Sequence, residues 1–304
     1  VNSLIASTLD IVDNDFIEGR FSFGGPTDST ASVVNRGTIS VADGGLAALV
    51  APGVANEGVI VANLGQVTLA SGNAFTLDLF GDGLISLAAD AKVLQGAIGP
   101  DGQPMGALVA NSGQITADGG MVMLTVNAAQ GVVDNVINMD GIIQAHSVVE
   151  QNGEIILMGG DSGIVSVAGT LDASGTDSGE TGGTVKVLGE YVGLFDGALV
   201  DVSGDAGGGT ALIGGNYQGG GDEPTSARTY VDAGASITAD AISSGDGGTV
   251  VVWGDEITRY YGDISARGGA EAGDGGTVEV SGEILIFDGF VDAQAPNGEI
   301  GRAS

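Results

Sequence analysis

The sequence predicts an all-β fold, a right-handed parallel β-helix, and three observations support this prediction. Glycine accounts for 57 of the 304 residues, far above the usual share of about 7%, which is typical of a chain that turns often. Between the glycines lie short segments that alternate between apolar and polar residues, as strands with one buried face do. In the C-terminal two thirds these segments recur about every 28 residues, which indicates a solenoid.

The repeat becomes visible when the sequence is divided at successive glycines. Units open at Gly113, Gly141, Gly169, Gly197, Gly234, Gly262 and Gly289. Their separations are 28, 28, 28, 37, 28 and 27 residues, so one unit departs clearly from the period. That unit carries about nine extra residues, which we place in a loop at 216–234 that bulges from one face.

Each unit contains three short β-like segments, and one of them ends in a large apolar residue two positions before the next glycine. These terminal residues are Met139, Val167, Phe195, Tyr260 and Phe287. Stacked coils place equivalent residues about 4.8 Å apart. We therefore expect one column that holds Phe195, Tyr260 and Phe287, and a second that holds Val185, Val250 and Val278. Such columns build a continuous core that no single unit could bury.

Little helix is expected, because glycines recur every few residues and each costs about 1 kcal/mol relative to alanine in a helix interior. At about 28 residues per coil, the chain predicts roughly ten or eleven coils and a rod on the order of 50 Å long.

The N-terminal third is less regular. Gly37 and Gly58 open two related segments 21 residues apart, which predicts shorter coils of the same kind. The segment SGNAFTLDLFGDGLISLA, which begins at Ser71, predicts a pair of strands around Gly81-Asp82-Gly83. We therefore divide the chain into residues 1–110 and a repetitive rod at 111–304 that continues the first part without interruption.

The composition excludes several classes of partner and of chemistry. With 39 acidic and 8 basic residues, the formal net charge is −31, which makes nucleic acid a poor partner. The sequence has no cysteine, so disulfides and thiolate chemistry are excluded. No apolar run reaches the roughly 18 residues that a membrane-spanning helix needs.

Residues that could perform catalysis are few, and we expect a protein that is not an enzyme. His146 is the only histidine, and nothing around it has the spacing of metal ligands or of a serine triad. The alternative is a polysaccharide-binding or polysaccharide-degrading β-helix, for which Arg259 and Arg267, on either side of Tyr260 and Tyr261, would neutralise an acidic substrate.

The acidic residues leave two interpretations open. Asp177 and Asp205 are 28 residues apart, as are Asp246 and Asp274, so stacking brings each pair to neighbouring coils. The carboxylates are either solvated corners or weak Ca²⁺ ligands, and we expect no other cofactor. Specific contacts with a partner are expected in the inserted loop, at Tyr217, Arg228 and Tyr230.

Three segments of the N-terminal part resemble a known family. They read LIASTLDIVDNDFIEGRFSF from Leu4, NRGTISVADGGLAALVAPGVANEGVI from Asn35 and GNAFTLDLFGDGLI from Gly72. Together they resemble the secretion domain of filamentous-haemagglutinin-like passengers, the TpsA-type exoproteins of two-partner secretion systems. The later GGTVVVWGDEITRYYGDISARGG, from Gly247, looks like the rod that follows in such proteins.

The resemblance implies a right-handed β-helix that an outer-membrane barrel transporter recognises during secretion. It implies an extracellular protein at the surface of a Gram-negative-type bacterium, where it serves as an adhesin or a structural fibre. A host or matrix glycan or protein is then the expected ligand, and unpaired coil ends allow end-to-end self-association into filaments as an alternative. The family's Asn-Pro-Asn-Gly motif is absent, so we expect a truncated secretion domain.

Overall fold

The protein is a parallel β-helix, and the predicted fold class is confirmed. The computed structural model describes residues 1–77, 85–87, 91–148 and 151–304. In these residues the helical elements are α1 (Asp13–Ile17) and a single-turn 3₁₀-helix at Tyr217–Gly219, so the expected scarcity of helix is confirmed. The strands in chain order are β1 (Leu4–Ser7), β2 (Asp10–Ile11), β3 (Phe21–Gly24), β4 (Ser32–Asn35), β5 (Thr38–Ser40), β6 (Leu46–Ala51), β7 (Gly53–Asn56), β8 (Val59–Val61), β9 (Gln66–Ser71), β10 (Ala74–Leu77), β11 (Ile85–Leu87), β12 (Ala107–Asn111), β13 (Gln114–Thr116), β14 (Met121–Val126), β15 (Asn135–Met139), β16 (Ile142–Gln144), β17 (Glu154–Met158), β18 (Ile164–Val167), β19 (Thr170–Asp172), β20 (Thr184–Leu188), β21 (Tyr191–Leu194), β22 (Leu199–Asp201), β23 (Thr210–Ile213), β24 (Arg228–Val231), β25 (Ser236–Thr238), β26 (Thr249–Tyr260), β27 (Asp263–Ser265), β28 (Thr277–Phe287), β29 (Phe290–Asp292) and β30 (Arg302–Ala303).

Each coil crosses three parallel sheets, which we call the first, second and third faces. The first face stacks β1, β6, β9, β14, β17, β20, β23, β26, β28 and β30. The second face stacks β4, β7, β12, β15, β18, β21, β24 and then the C-terminal halves of β26 and β28. The third face stacks β5, β8, β13, β16, β19, β22, β25, β27 and β29. Within the described residues the stack has nine to ten rungs, close to the predicted number of coils.

The register of the third face corrects the repeat boundaries at two positions. Leu199 lies opposite Thr170 on one side and Ser236 on the other. Ala198 and Ala235, and not Gly197 and Gly234, therefore continue the column that the other opening glycines form. Gly197 instead has a positive φ of 90°, because it turns the chain just before the strand.

The interior is built from columns of aliphatic side chains. On the third face one such column contains Ile39, Ile60, Ile115, Ile143, Leu171, Val200, Ile237, Ile264 and Val291. On the first face the predicted column of Val185, Val250 and Val278 is confirmed, with Ala211 between the first two. Similar side chains stack without a register conflict, so each rung extends the same core.

The predicted aromatic column is wrong at one position. Leu194, and not Phe195, lies in register between Val167 and Val231 in the column that Tyr260 and Phe287 continue. Leu194 is fully buried, whereas Phe195 is 37% exposed on the outer wall. The turn from Leu194 to Leu199 is two residues longer than the one from Val167 to Thr170, so counting back two positions from Gly197 selects the wrong residue.

A column of glycines forms the corner that leads into the first face. It contains Gly45, Gly65, Gly120, Gly153, Gly183, Gly209, Gly248, Gly276 and Gly301. From Gly65 onward, the N–H group of the residue after each of these glycines donates to the carbonyl of the glycine one rung below, as Thr210 does to Gly183 at 2.9 Å. At most of these positions a Cβ atom would collide with backbone atoms of the rung below. The recurring Gly-Gly-Thr corners are therefore required by close backbone contact.

A second ladder, of asparagines, lies buried on the second face near the N-terminus. The Asn35 Nδ2 group donates to Asn56 Oδ1, and Asn56 Nδ2 donates to Asn111 Oδ1, each at 2.8 Å. The Gly37 amide donates to Asn35 Oδ1, and the Gly58 amide donates to Asn56 Oδ1. The ladder ends at Met139, whose sulfur faces the Nδ2 group of Asn111 at 3.4 Å.

An antiparallel sheet covers part of the outer surface of the first face. Its strand order is β11-β10-β3-β2, which confirms the strand pair predicted from Ser71 onward, although the Gly81-Asp82-Gly83 turn lies outside the described residues. Phe23 stacks on Phe75 with ring centroids 4.4 Å apart. These rings pack against outward-facing residues of β6 and β9, which are thereby buried.

The aliphatic core extends without a break from Val41 to Val280. It crosses residue 110, as expected of two continuous parts, while the boundary itself remains a prediction. No helix in the described part of the chain is both long and apolar enough to cross a membrane.

Candidate functional site

The three residues expected in a binding loop do not lie together. Tyr217 is in the insertion, which occupies residues 214–227 between β23 and β24, and it is 47% exposed. Arg228 and Tyr230 are instead on β24, in regular register with β21 and β26. The predicted insertion is confirmed, but it ends earlier than expected, and two of its three candidates belong to the wall of the second face.

The insertion itself is held firmly against the corner between the first and second faces. The amide of Gln218 donates to the buried carboxylate of Glu279 at 2.8 Å, and the Ser226 hydroxyl donates to the Trp253 carbonyl at 3.0 Å. Lys186 reaches Glu223 of the insertion at 3.1 Å. These bonds use the polar groups of the insertion for its own attachment.

Arg228 and Tyr230 line a groove of about 640 Å³ on the outer wall of the second face. The groove crosses the outward side chains of β18, β21, β24, β26 and β28, so it runs over successive rungs along the solenoid axis. One outward column contains Ile164, Tyr191, Arg228, Ile257 and Ile284. The stack thus brings into one depression side chains that are 120 residues apart in sequence.

Three aromatic rings form a row on the outer wall that we call the aromatic strip: Phe195 and Tyr230 line the groove, and Tyr261 lies beside it against Tyr230. The Phe195 and Tyr230 ring centroids are 5.8 Å apart, and those of Tyr230 and Tyr261 are 5.9 Å apart. The Phe195 ring lies over Gly193, where a Cβ atom would be 2.6 Å from the ring. Gly193 therefore allows the ring to lie flat against the wall.

Tyr230 is fixed in place by a hydrogen bond. Its hydroxyl donates to the Asp232 carboxylate at 2.7 Å, and this bond is the main reason why the pKa of Tyr230 is raised above its usual value. The same bond lowers the pKa of Asp232. This hydrogen bond fixes the orientation of the Tyr230 ring, which lies half-buried on the outer wall.

The two arginines of the groove differ in their partners. Arg228 Nε donates to Glu256 Oε2 at 2.9 Å, and its guanidinium lies 5.9 Å from the centroid of the Tyr191 ring. Arg259, on the next rung beside Tyr230, is exposed and forms no ion pair within the described residues. Ion pairs there engage Arg20, Arg36, Lys92, Lys186, Arg228 and Arg267.

The residues proposed for a lyase do not form one site. Tyr260 points into the core and is fully buried, and burial raises the pKa of its hydroxyl. Arg267 is not a lining residue of the groove and lies 3.7 Å from Asp292. Of these residues only Arg259 lines the groove, while Tyr261 lies beside it with its ring 5.9 Å from that of Tyr230.

The four aspartates suggested as calcium ligands lie in the turns between the third and first faces. Asp205 accepts hydrogen bonds from the Gly179 amide at 2.7 Å and from the Ser243 hydroxyl at 2.5 Å. Asp246 accepts from the Asp274 amide at 2.7 Å, and Asp274 accepts from the Glu299 amide at the same distance. Asp177 is exposed at the same edge. Three of the carboxylates thus bond to groups in turns of neighbouring coils.

Chelation distinguishes the two interpretations of these aspartates, as solvated corners or as weak calcium ligands. In the described part of the chain no three acidic or histidine side chains are grouped as a metal site would require. Because backbone amides already occupy three of the four carboxylates, we expect melting temperatures in EDTA and in 2 mM CaCl₂ to agree within about 1 °C. A rise of several degrees that saturates with calcium would contradict this expectation, and MgCl₂ at equal ionic strength is the control.

His146, the single histidine, lies on the outer edge of the third face between two carboxylates. Its Nδ1 atom is 2.9 Å from Asp118 on one neighbouring coil, and its Nε2 atom is 3.0 Å from Asp172 on the other. The bond to Asp172 is the main cause that raises its pKa to about 9, with the charge of Asp118 adding to it and burial opposing it. The imidazolium therefore ties three coils together at neutral pH.

This arrangement predicts a loss of stability in alkaline solution. The pKa of His146 is 6.5 in the unfolded chain and about 9 in the folded one, so its stabilisation is complete below pH 6.5 and is lost as the pH rises to 9. Because its side chain is 34% exposed, we expect the loss to be about 1–2 kcal/mol after solvent screening. Thermal melts from pH 6 to 9 should show the decline in the wild type and a flatter profile in His146→Gln. Parallel profiles would contradict the assignment.

The fold of this chain is similar to that of a solved secretion domain. The chain is similar to the crystal structure of the HMW1 secretion domain from Haemophilus influenzae, with a TM-score of 0.78 and 29% sequence identity. The similarity covers 99% of this chain and 75% of that chain. No family description matches the sequence, and no curated protein matches it. This structural similarity confirms the resemblance to the secretion domain of TpsA-type exoproteins. The similar region includes residues 111–304 as well as the N-terminal part.

Proposed function

We propose that this chain, a TpsA-like secretion domain, delivers a secreted exoprotein to an outer-membrane transporter and then forms a non-catalytic, adhesive or structural part of it on the cell surface. The supporting observation is the structural similarity to a secretion domain over 99% of the chain. A secretion domain of this type has an outer-membrane transporter as its general partner. The continuous stack adds a physical reason, because rungs that form one after another can fold as the chain emerges.

A secretion assay tests the first part of this proposal. The chain, preceded by an export signal, is produced in a Gram-negative host together with the outer-membrane barrel transporter of its own two-partner secretion system. We expect the folded chain to accumulate in the medium when the transporter is present and to stay in the periplasm when it is absent. An unrelated periplasmic protein with the same signal serves as the control. Retention of the chain by a transporter that exports its own full-length passenger would refute the proposal.

The proposal of a non-catalytic role is supported by the groove. Glycosidases use two carboxyl groups, and a lyase needs a free base near its substrate. Among the described lining residues Glu256 is the one carboxylate, and it is already paired with Arg228. His146 is not a lining residue of the groove.

End-to-end self-association is a second candidate, and an exposed apolar rung favours it. Ile284, Leu285, Ile286 and Phe287 of β28 are between 41% and 56% exposed. Sedimentation at rising protein concentration tests it, because stacking through this rung predicts oligomers that Leu285→Lys removes. A strictly monomeric wild type would refute this candidate.

A further inference from the structure

We infer that the groove on the second face binds an acidic sugar, a pyranose with a carboxylate, as a unit of a longer polysaccharide. This inference gives the proposed adhesive role a ligand class. It does not depend on the transporter, because binding is measured with the purified folded chain. The secretion assay and the binding assay can therefore fail separately.

The aromatic strip supplies the surface for the sugar ring. Aromatic side chains in this fold would lower their free energy by pointing inward, as the fully buried Tyr260 does. Phe195, Tyr230 and Tyr261 instead remain on the wall, with neighbouring centroids less than 6 Å apart. Flat apolar rings that are held in place lose little entropy when a ligand stacks on them. The C–H face of a pyranose fits such a surface.

Arg259 supplies the charge that selects an acid. The molecule has 39 acidic side chains for 8 basic ones, yet this arginine has no ion pair in the described part of the chain. Its guanidinium is free to form a bidentate pair with a carboxylate. Arg228, by contrast, is already neutralised by Glu256 and is held over the Tyr191 ring. A stacking surface beside one unpaired cation fits a sugar with a carboxylate.

The overall negative charge does not prevent this binding at physiological salt. Screening limits the repulsion from distant carboxylates to about 8 Å, so the local pair with Arg259 dominates. The net negative charge does predict that the affinity for an acidic polysaccharide depends on salt. Binding should be weaker at low ionic strength, where the chain repels a polyanion more strongly. The groove follows the solenoid axis over several rungs, so it can hold more than one sugar unit.

Titration calorimetry of the purified chain with defined oligosaccharides tests the inference. The probes are hexamers of galacturonate and of mannuronate, sialyllactose, and neutral cellohexaose. We expect binding of at least one acidic probe, and at least tenfold weaker binding of cellohexaose. Tyr230→Ala and Arg259→Gln should each weaken the acidic probe about tenfold. The matched controls, Tyr217→Ala and Arg267→Gln, change an exposed tyrosine and an arginine outside the groove and should bind as the wild type does.

Several outcomes would overturn the inference. One is the absence of binding to every acidic probe at millimolar concentration, and another is full binding by Arg259→Gln. Equal affinity for cellohexaose would exclude the role of the carboxylate. Each variant must keep the wild-type melting temperature within about 2 °C, and Tyr230→Phe, which retains the ring, should restore binding if Tyr230→Ala disturbs the wall. Unchanged probe length after incubation should accompany binding, because a carbohydrate receptor does not cleave its ligand.

Discussion

Gly209→Ala is expected to destabilise the protein by about 3 kcal/mol or more, although it adds a single methyl group. Gly209 lies in the middle of the glycine column, and a Cβ atom there would collide with the carbonyl oxygen of Gly183 and lie 2.6 Å from the carbonyl carbon of Gly182. The colliding atoms belong to the backbone, so no side-chain rotation relieves them. The two rungs must separate, and the hydrogen bond from Thr210 to Gly183 is stretched.

Thermal and chemical unfolding of the purified variant would measure this effect. Gly106→Ala is the matched control, because a Cβ atom there meets nothing within 4 Å and the backbone has no positive φ. That control should be neutral or slightly stabilising, since alanine reduces the entropy of the unfolded chain. If Gly209→Ala melted like Gly106→Ala, close backbone contact would not be the reason for the glycine column.

Asn56→Leu is expected to lower the free energy of unfolding by about 3 kcal/mol, because Asn56 lies in the buried ladder of the second face. Asn56 is fully buried, accepts from Asn35 and donates to Asn111. Leucine has a similar size but leaves the donor of Asn35 and the acceptor of Asn111 without their partner. A buried polar group that loses its partner costs about 1–3 kcal/mol, so two such losses outweigh the gain from added apolar surface.

A double variant separates the loss of partners from simple packing. Asn56→Leu combined with Asn111→Leu should cost less than the sum of the two single changes, because Asn111 is no longer an orphaned group. Asn138→Ala is the control, since its amide lies on the outside of the wall and bonds to Asp140 at 2.7 Å. Additive losses, or an Asn56→Leu variant as stable as the wild type, would argue against the ladder.

The acidic composition has a structural role that charge counting did not reveal. The Asp240 carboxylate accepts from the Arg267 amide and the Ser265 hydroxyl, and the Asp118 carboxylate accepts from the His146 amide. Carboxylates at these corners satisfy amide groups that the strands cannot reach. Carboxylates in the turns therefore link neighbouring coils, and this role accounts for acidic residues at these positions without any metal.

The candidate groove shows how far sequence reasoning reaches. Arg228 and Tyr230 were identified from the sequence, but as members of a loop. Tyr191, Phe195 and Arg259 were not connected with them, because these residues are separated by as many as 68 positions. The available signal was the shared outward register of Tyr191 with Arg228 and of Tyr230 with Arg259, which requires the rung offsets to be known. The asparagine ladder had a clearer signal, since Asn35, Asn56 and Asn111 each lie two positions before a glycine that opens a strand of the third face.

The sequence by itself determined the solenoid, because a period of about 28 residues with alternating apolar positions can bury its core only by stacking. It also determined where the extra residues lie and which valines share a column. The tertiary structure alone decided the lateral neighbours on the outer wall. A single residue added between β19 and β22 and the insertion before β24 shift the offset from rung to rung, so equal spacing no longer identifies neighbours. Inward positions tolerate such errors because any aliphatic residue fills the core, whereas a surface site depends on which rings and charges meet.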